Sequence, residues 1–284
     1  MKQLKALETG ILDSLSLQDR VAIVTGSGNG IGKAIALDFA KVGAIIIVAE
    51  VDSAAAEPTV EEIKALGGKA VHIAVDVINA DQVDALVAKT MEAFGRIDIL
   101  VNNVGGTGRS RRSPITEMKE EVWDLIVALN MKSNFLCTRA VAKTMIEQKK
   151  GNIINITSGA ALRPYPSLPP YGASKAAMIN FTQSMAVQLA PYDIRVNSVA
   201  PGTIVTASAS YLGDRDENAR KRGTPLGRAG RVDDITPAAI FLASDASKYI
   251  TGVTIEVTGG PLFSAFFLEE AQGEWAEAAK AELN

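Results

Sequence analysis

One histidine, His72, and one cysteine, Cys137, occur among 284 residues, and that scarcity removes whole classes of chemistry. A zinc centre of several thiolate and imidazole ligands cannot be assembled from such a set, so no metal site is expected. A Ser-His-Asp triad would have to use His72, which sits in the alternating segment 70–75 and reads as a residue on a strand face. Cys137 has no partner for an intramolecular disulfide and points to a reducing compartment. Long apolar runs are missing too: Ala44–Ala49 is far short of a membrane helix, and Met1–Leu17 is interrupted by Glu8 and Asp13, unlike a secretory signal. The expectation is a cytoplasmic protein with no membrane partner. Charge of one sign is also scarce. The net charge of -3 and the lack of a basic cluster leave no footprint for nucleic acid.

What is present is a chain with 47% apolar and 21% charged residues, the balance of a globular protein with a large core. Strand-like runs at 21–25, 44–49, 70–75, 97–101, 152–157, 194–199 and 253–257 alternate with helical patterns. The helical patterns fall at 31–42, 56–66, 80–94, 117–148, 172–190 and 233–243. Such alternation implies an α/β fold: one doubly wound Rossmann-type domain, with a seven-stranded parallel sheet and helices on both faces. Ligands of such sheets bind beyond the carboxyl ends of the strands. The domain is expected at 20–260, with extensions at 1–19 and 261–284. The second extension carries Phe263, Phe266, Phe267 and Trp275, suited to packing on a neighbouring subunit.

The first strand runs into Thr25-Gly26-Ser27-Gly28-Asn29-Gly30-Ile31-Gly32. Glycines there permit positive φ and let backbone N–H groups approach a phosphate, at the positive end of the following helix. The spacing is TGxxxGxG, not GxGxxG. The second strand ends in Glu50, where a carboxylate can accept hydrogen bonds from a ribose diol and repel a 2′-phosphate. Neither Ser27 nor Asn29 is a cation, and Lys33 lies one turn into the helix, so NAD is expected over NADP.

With histidine unavailable, acid/base chemistry needs another residue. Tyr171 and Lys175 stand four apart, thirteen residues beyond Ser158 at the end of the fifth strand. On a helix, i and i+4 share a face. A neighbouring ammonium favours a phenolate and should lower the Tyr171 pKa below its usual value near 10. Ser158 would hold a substrate oxygen while Tyr171 moves its proton.

With these motifs in order, the chain resembles the short-chain dehydrogenase/reductase family, in its shorter form, over roughly residues 17–260. The quoted set is Thr25–Gly32, Asp76, Asn102-Asn103-Val104-Gly105, Asn130, Ser158, Tyr171-x-x-x-Lys175 and Pro201-Gly202. The resemblance implies that Gly26, Ser27, Asn29, Gly30 and Ile31 cradle the dinucleotide and that Asp76 and Val77 meet the adenine. Asn103, Val104 and Gly105 would lie beneath the adenosine half, and Pro201, Gly202, Ile204 and Thr206 near the carboxamide. Asn130 would kink its helix and support a proton relay, and Lys175 would bind the nicotinamide ribose. A homotetramer is common in such proteins. Two departures stand out: Val104 occupies a position where alanine is usual, and Val253 one where glutamine is common.

Three segments should surround the substrate. Gly105–Pro114 carries Arg109, Arg111 and Arg112, candidates for an anionic group. Ala160–Pro170 includes Leu168, Arg163, Tyr165 and four prolines, a stiff wall suited to an alicyclic or aromatic alcohol. The stretch at about 206–231 would be a lid. The reading is an NAD-dependent oxidoreductase interconverting a secondary alcohol and its ketone. An NADP-dependent 3-oxoacyl-type ketone reductase is the alternative enzyme, and a non-catalytic dinucleotide sensor the alternative of another class.

Overall fold

Apolar residues at alternate positions of each strand fill two separate cores, one on each side of a parallel sheet. In the computed structural model, residues 10–108, 114–206 and 224–260 are described. The strands are β1 (Val21–Thr25), β2 (Ile45–Glu50), β3 (Lys69–Ala74), β4 (Ile99–Asn102), β5 (Gly151–Ile156), β6 (Ile194–Pro201) and two short strands, β7 (Ile204–Val205) and β8 (Gly230–Arg231), before β9 (Thr254–Val257). The helices are α1 (Ile11–Ser14), α2 (Gly30–Lys41), α3 (Ser53–Ala65), α4 (Ala80–Phe94), α5 (Glu120–Val127), α6 (Ser133–Gln148), α7 (Pro169–Leu189) and α8 (Val232–Ala243).

Seven strands form one sheet in the order β3-β2-β1-β4-β5-β6-β9. Every neighbouring pair is parallel, with Ile23 opposite Ile47 and Leu100, and Ile154 opposite Asn197. The expected fold class is correct. Chain order reverses between β1 and β4, the point at which such a sheet opens a crevice. On one face Ala22, Val24, Ile46, Val48 and Ile154 pack under Ile35 and Phe39 of α2 and Leu242 of α8. On the other, Val21, Ile23, Ile47, Leu100 and Ile153 pack under Leu86 of α4, Leu136 and Val141 of α6 and Leu189 of α7. Each such fully buried aliphatic side chain contributes about 1.5–3 kcal/mol relative to exposure. Burial on both faces explains why β1 is apolar throughout.

Boundaries differ from the sequence expectation where local chemistry overrides periodicity. The pattern at 117–148 is not one helix. A 3₁₀ turn at Ile115–Glu117 precedes α5, and a wider π-helical turn at Ala128–Lys132 separates α5 from α6. Helix α7 begins three residues earlier than expected, because Pro169 and Pro170 sit in its first turn, where no N–H is needed and φ is preset. Helix α3 also starts early, at Ser53, capped by the Asp52 carboxylate accepting from the Ala54 N–H at 3.0 Å. Leu17, expected in the N-terminal extension, is fully buried, and its N–H donates to the Val42 carbonyl. β7 and β8 were not anticipated. They pair Ile204 with Gly230 and Val205 with Arg231, so the chain on either side of residues 207–223 is joined at its base. Those residues, most of the expected lid, and residues 261–284 lie outside the described residues.

Candidate active site

The carboxyl ends of β1, β2, β4, β5 and β6 open onto a crevice of about 520 Å³ lined by the glycine turn, Glu50, Asp76, Ser158, Tyr171 and Lys175. Its phosphate end is built from backbone. Gly26 and Gly30 adopt φ of +64° and +58°, a region that side-chain-bearing residues seldom enter. Gly32 has a packing reason: a Cβ there would lie 2.3 Å from the Gly26 carbonyl oxygen and 2.4 Å from Asn103 Nδ2. The turn leads straight into α2, whose first N–H groups face the crevice end of the helix dipole. Asn103 holds the turn from below, its Nδ2 donating to the Thr25 and Gly26 carbonyls at 2.9 and 3.1 Å. These features fit a dinucleotide pyrophosphate.

Glu50 occupies the rim. Its carboxylate accepts from the Gly28 N–H at 3.2 Å, the Val51 N–H at 2.9 Å and the Asp52 N–H at 3.3 Å. The nearby cation is engaged elsewhere, for Lys33 Nζ lies 2.6 Å from Glu62. His72 Nε2 donates to the Glu50 carbonyl at 3.0 Å, a strand-face contact in keeping with its sequence reading.

The acid/base end lies where β5 meets α7. Tyr171 and Ser158 both line the crevice, and the Tyr165 ring tilts against the Tyr171 ring with centroids 5.7 Å apart. Lys175 Nζ donates to the Ile156 carbonyl at 2.9 Å and lies 5.9 Å from the Tyr171 ring centroid. Burial pushes the Tyr171 phenol up, against the lowering effect of the Ser158 hydroxyl, with Tyr165 adding to the rise. The net direction is opposite to the expected lowering. Burial also carries Lys175 down, to about 7.

Asn130 sits in the π-helical turn and is fully buried. Its Nδ2 donates to the Ile126 and Gly106 carbonyls, and its Oδ1 accepts from the Gly106 N–H at 3.0 Å. A Cβ built on Gly105 would lie 2.7 Å from both Asn130 Oδ1 and Lys175 Nζ, so the glycine keeps the space between those two atoms free of carbon.

Most of the expected cofactor set converges on the crevice: Gly26, Asn29, Gly30, Ile31, Glu50, Asp76, Val77, Asn103, Val104, Gly105, Pro201, Gly202, Ile204 and Thr206 all line it. Ser27 does not. Its hydroxyl is buried and donates to the Val24 carbonyl at 2.7 Å, which tightens the turn instead of facing a ligand. Leu168 is only 3% exposed and lies at the N-cap of α7, away from the crevice lining. Arg109, Arg111 and Arg112 lie outside the described residues. Leu129 was missed. It lines the crevice from the π-helical turn, and its only signal was its place beside Asn130. Among the described residues no cluster of His, Cys, Asp or Glu could hold a metal ion, and no helix is long and apolar enough to cross a membrane.

Residues 26–261 match the family described as Enoyl-(Acyl carrier protein) reductase. The chain is 39% identical over 246 residues to the (2S)-[(R)-hydroxy(phenyl)methyl]succinyl-CoA dehydrogenase subunit of Thauera aromatica, covering 87% of this chain and 98% of that one. It is 43% identical over 249 residues to a 3-oxoacyl-[acyl-carrier-protein] reductase of Synechocystis, covering 86% and 98%. Among solved structures, a short-chain type dehydrogenase/reductase from Mycobacterium marinum superposes with a TM-score of 0.83 at 37% identity, over 88% of this chain and 98% of that one. A 7α-hydroxysteroid dehydrogenase complexed with NADH and 7-oxo glycochenodeoxycholic acid gives 0.84 at 36% identity, over 88% and 97%.

Proposed function

The chain belongs to the short-chain dehydrogenase/reductase family of oxidoreductases, and from that premise we propose that it is an NAD-dependent dehydrogenase of a secondary alcohol. The observation that carries this reading is the convergence of Ser158, Tyr171 and Lys175 on the crevice that also holds the glycine turn and Glu50. Bound NAD would supply the hydride acceptor. The chain's own groups do the rest. The Ser158 hydroxyl holds the alcohol oxygen, the Tyr171 phenolate takes its proton, and Lys175 binds the nicotinamide ribose hydroxyls beside it. The same groups run in reverse for ketone reduction, with Tyr171 as the acid.

Glu50 supports NAD over NADP. A 2′-phosphate at the ribose would meet a carboxylate already held by three backbone N–H groups, while Lys33 is paired to Glu62. The NADH-bound hydroxysteroid dehydrogenase agrees with this choice. The similarity to a 3-oxoacyl-[acyl-carrier-protein] reductase supports a second reading, an NADP-linked ketone reductase, against which Glu50 stands. For the substrate, Leu129 and the proline-rich segment before Tyr171 suit an apolar, alicyclic or aromatic alcohol, and Arg109, Arg111 and Arg112 remain candidates for an anionic substituent. We place the enzyme in the cytoplasm as a homotetramer.

A screen of cyclic and linear secondary alcohols with NAD and with NADP, followed by reduced-nicotinamide absorbance, tests this function. NAD-linked oxidation of at least one alcohol, abolished in Tyr171→Phe with NAD affinity kept, is the expected result. Turnover surviving in Tyr171→Phe would overturn the mechanism, and a preference for NADP would overturn the cofactor assignment.

A further inference from the structure

Beneath the crevice lies a second polar layer that the motifs meet only at Asn102. Asn155 in β5 is fully buried, and its side-chain amide is a node between three elements. Its Oδ1 accepts from Asn102 Nδ2 of β4 at 2.9 Å and from Asn134 Nδ2 of α6 at 2.8 Å. Its Nδ2 donates to Thr182 Oγ1 of α7 at 2.8 Å. Asn102 Nδ2 also donates to Thr138 Oγ1 of α6 at 3.1 Å, and the Thr182 hydroxyl donates on to the Met178 carbonyl at 2.8 Å. Asn134 and Thr182 are 1% and 0% exposed, so each of these bonds is shielded from water.

The two helices tied to Asn155 are the two that carry the site. Asn134 lies four residues, about one turn, beyond Asn130 at the start of α6. Thr182 lies seven residues, about two turns, beyond Lys175 on the same face of α7, with fully buried Met178 between them. The residue after Asn155 is Ile156, whose carbonyl receives Lys175 Nζ. Helix α7 is thus fixed to β5 at two polar points, Thr182 to Asn155 and Lys175 to Ile156, which together set how far the helix slides along the strand. A buried amide unsatisfied by slippage costs far more than an exposed one, so the arrangement resists displacement.

We propose that Asn155 is a positioning residue for Lys175, acting through Thr182, and that it sets the register of α6 and α7 against β5 and so the Lys175–Tyr171 and Lys175–Asn130 separations. This rests on the proposed dehydrogenase reading. The groups facing Tyr171 are Lys175 on its own helix, Ser158 beyond β5 and Tyr165 in the loop before α7. None of them contacts Thr182 in the bonds above, so an effect of Thr182 on Tyr171 must pass through the helix.

The test compares Thr182→Val, which keeps the shape and removes the hydroxyl, with Thr182→Ser, which keeps the hydroxyl. Asn155→Leu is the stronger variant, checked first for folding by circular dichroism. Two readouts are used: the pH midpoint of kcat for alcohol oxidation at saturating NAD, and the rate of Lys175 acetylation by acetic anhydride in the protein alone, mapped by peptide mass. For Thr182→Val the pH midpoint should rise by about half a unit to one unit, a threefold to tenfold weakening of the support for the phenolate. Lys175 acetylation should rise severalfold, and Thr182→Ser should match the parent in both. A parental midpoint and acetylation rate in Thr182→Val, even with a lowered melting temperature, would reduce the node to plain stability and overturn the proposal. Equal shifts in the valine and serine variants would overturn it too, because volume and not the hydroxyl would then be responsible. If Tyr171→Phe is inactive while Thr182→Val behaves as the parent, the node fails and the dehydrogenase reading stands. Turnover in Tyr171→Phe removes both.

Discussion

Lys175 Nζ and the Ile156 carbonyl oxygen are 2.9 Å apart, and this bond anchors a lysine that is only 3% exposed. Burial lowers its pKa from the usual 10.5 to about 7. Between those values the unfolded chain binds a proton that the folded protein does not, so this group makes stability rise with pH through the window from about 7 to about 10.5. Lys175 therefore costs stability at neutral pH for the sake of its site. Lys175→Met should abolish turnover yet raise the unfolding free energy at pH 7 by about 2–4 kcal/mol, the desolvation relief less about 1 kcal/mol for the lost hydrogen bond. Urea unfolding at pH 7 and near pH 10 checks it, because the gain should shrink almost to zero at the higher pH. A gain independent of pH would contradict the assignment of Lys175 as the source.

Glu50 and the 2′ position of the ribose give a prediction about cofactor choice. Two unit charges about 4 Å apart at a protein surface interact by about 4 kcal/mol at an effective dielectric of 20, less when salt screens them. Glu50→Ala should therefore raise kcat/KM with NADP by about 10-fold or more, since 1.4 kcal/mol is one decade. It should lower kcat/KM with NAD as the diol acceptor disappears. The ratio of the two values is the measurement. An unchanged ratio would mean that Glu50 serves only its three backbone N–H groups.

Gly32 tests the phosphate cradle as a packed object. An alanine there drives its methyl to 2.3 Å from the Gly26 carbonyl oxygen, and the Asn103 amide on the other side, held to the Thr25 and Gly26 carbonyls, leaves little room to move. Overpacking of this kind costs about 1–3 kcal/mol, which for a domain of this size lowers Tm by about 2–10 °C. Gly32→Ala should also weaken NAD binding sharply, because the displaced atom belongs to the turn itself. Titration of intrinsic fluorescence with NAD reads this directly, and parental affinity would show that the turn is softer than its contacts indicate.

How much of this was legible in the sequence follows the range of the interactions concerned. The turn at Thr25–Gly32, the strand-end Glu50 and the Tyr171–Lys175 spacing are local, and each lies in the crevice. The direction of the Ser27 hydroxyl was not legible, because a small polar residue in a tight turn satisfies either the ligand or the turn, and here it bonds Val24. The π-helical turn at Ala128–Lys132 was hidden because one extra residue per turn barely disturbs an apolar pattern. The raised Tyr171 pKa comes from desolvation of the phenol in the folded site, with Tyr165 beside it, which no spacing encodes. Asn155 was invisible for the same reason. Its partners Asn102, Asn134 and Thr182 are separated from it by 53, 21 and 27 positions.

Gly105 offers the sharpest test of the acid/base end, because its backbone is not in the positive-φ region and alanine meets no conformational penalty there. What an alanine meets is chemistry. Its methyl would lie 2.7 Å from Asn130 Oδ1 and 2.7 Å from Lys175 Nζ, well inside contact distance for carbon against either atom. Asn130 cannot retreat easily, since Oδ1 and Nδ2 are held by Gly106 and Ile126. Lys175 must then swing, and its bond to Ile156 goes with it. A misplacement of about 1 Å at a reacting group costs about 100-fold in rate. Gly105→Ala should therefore fold with a melting temperature within a few degrees of the parent while kcat falls by about 100-fold. The pH midpoint of the remaining activity should move upward, because the lysine no longer stands beside Tyr171. A kcat equal to the parent's would show that the gap between Asn130 and Lys175 is spare volume, and that the proton leaves Tyr171 by another path.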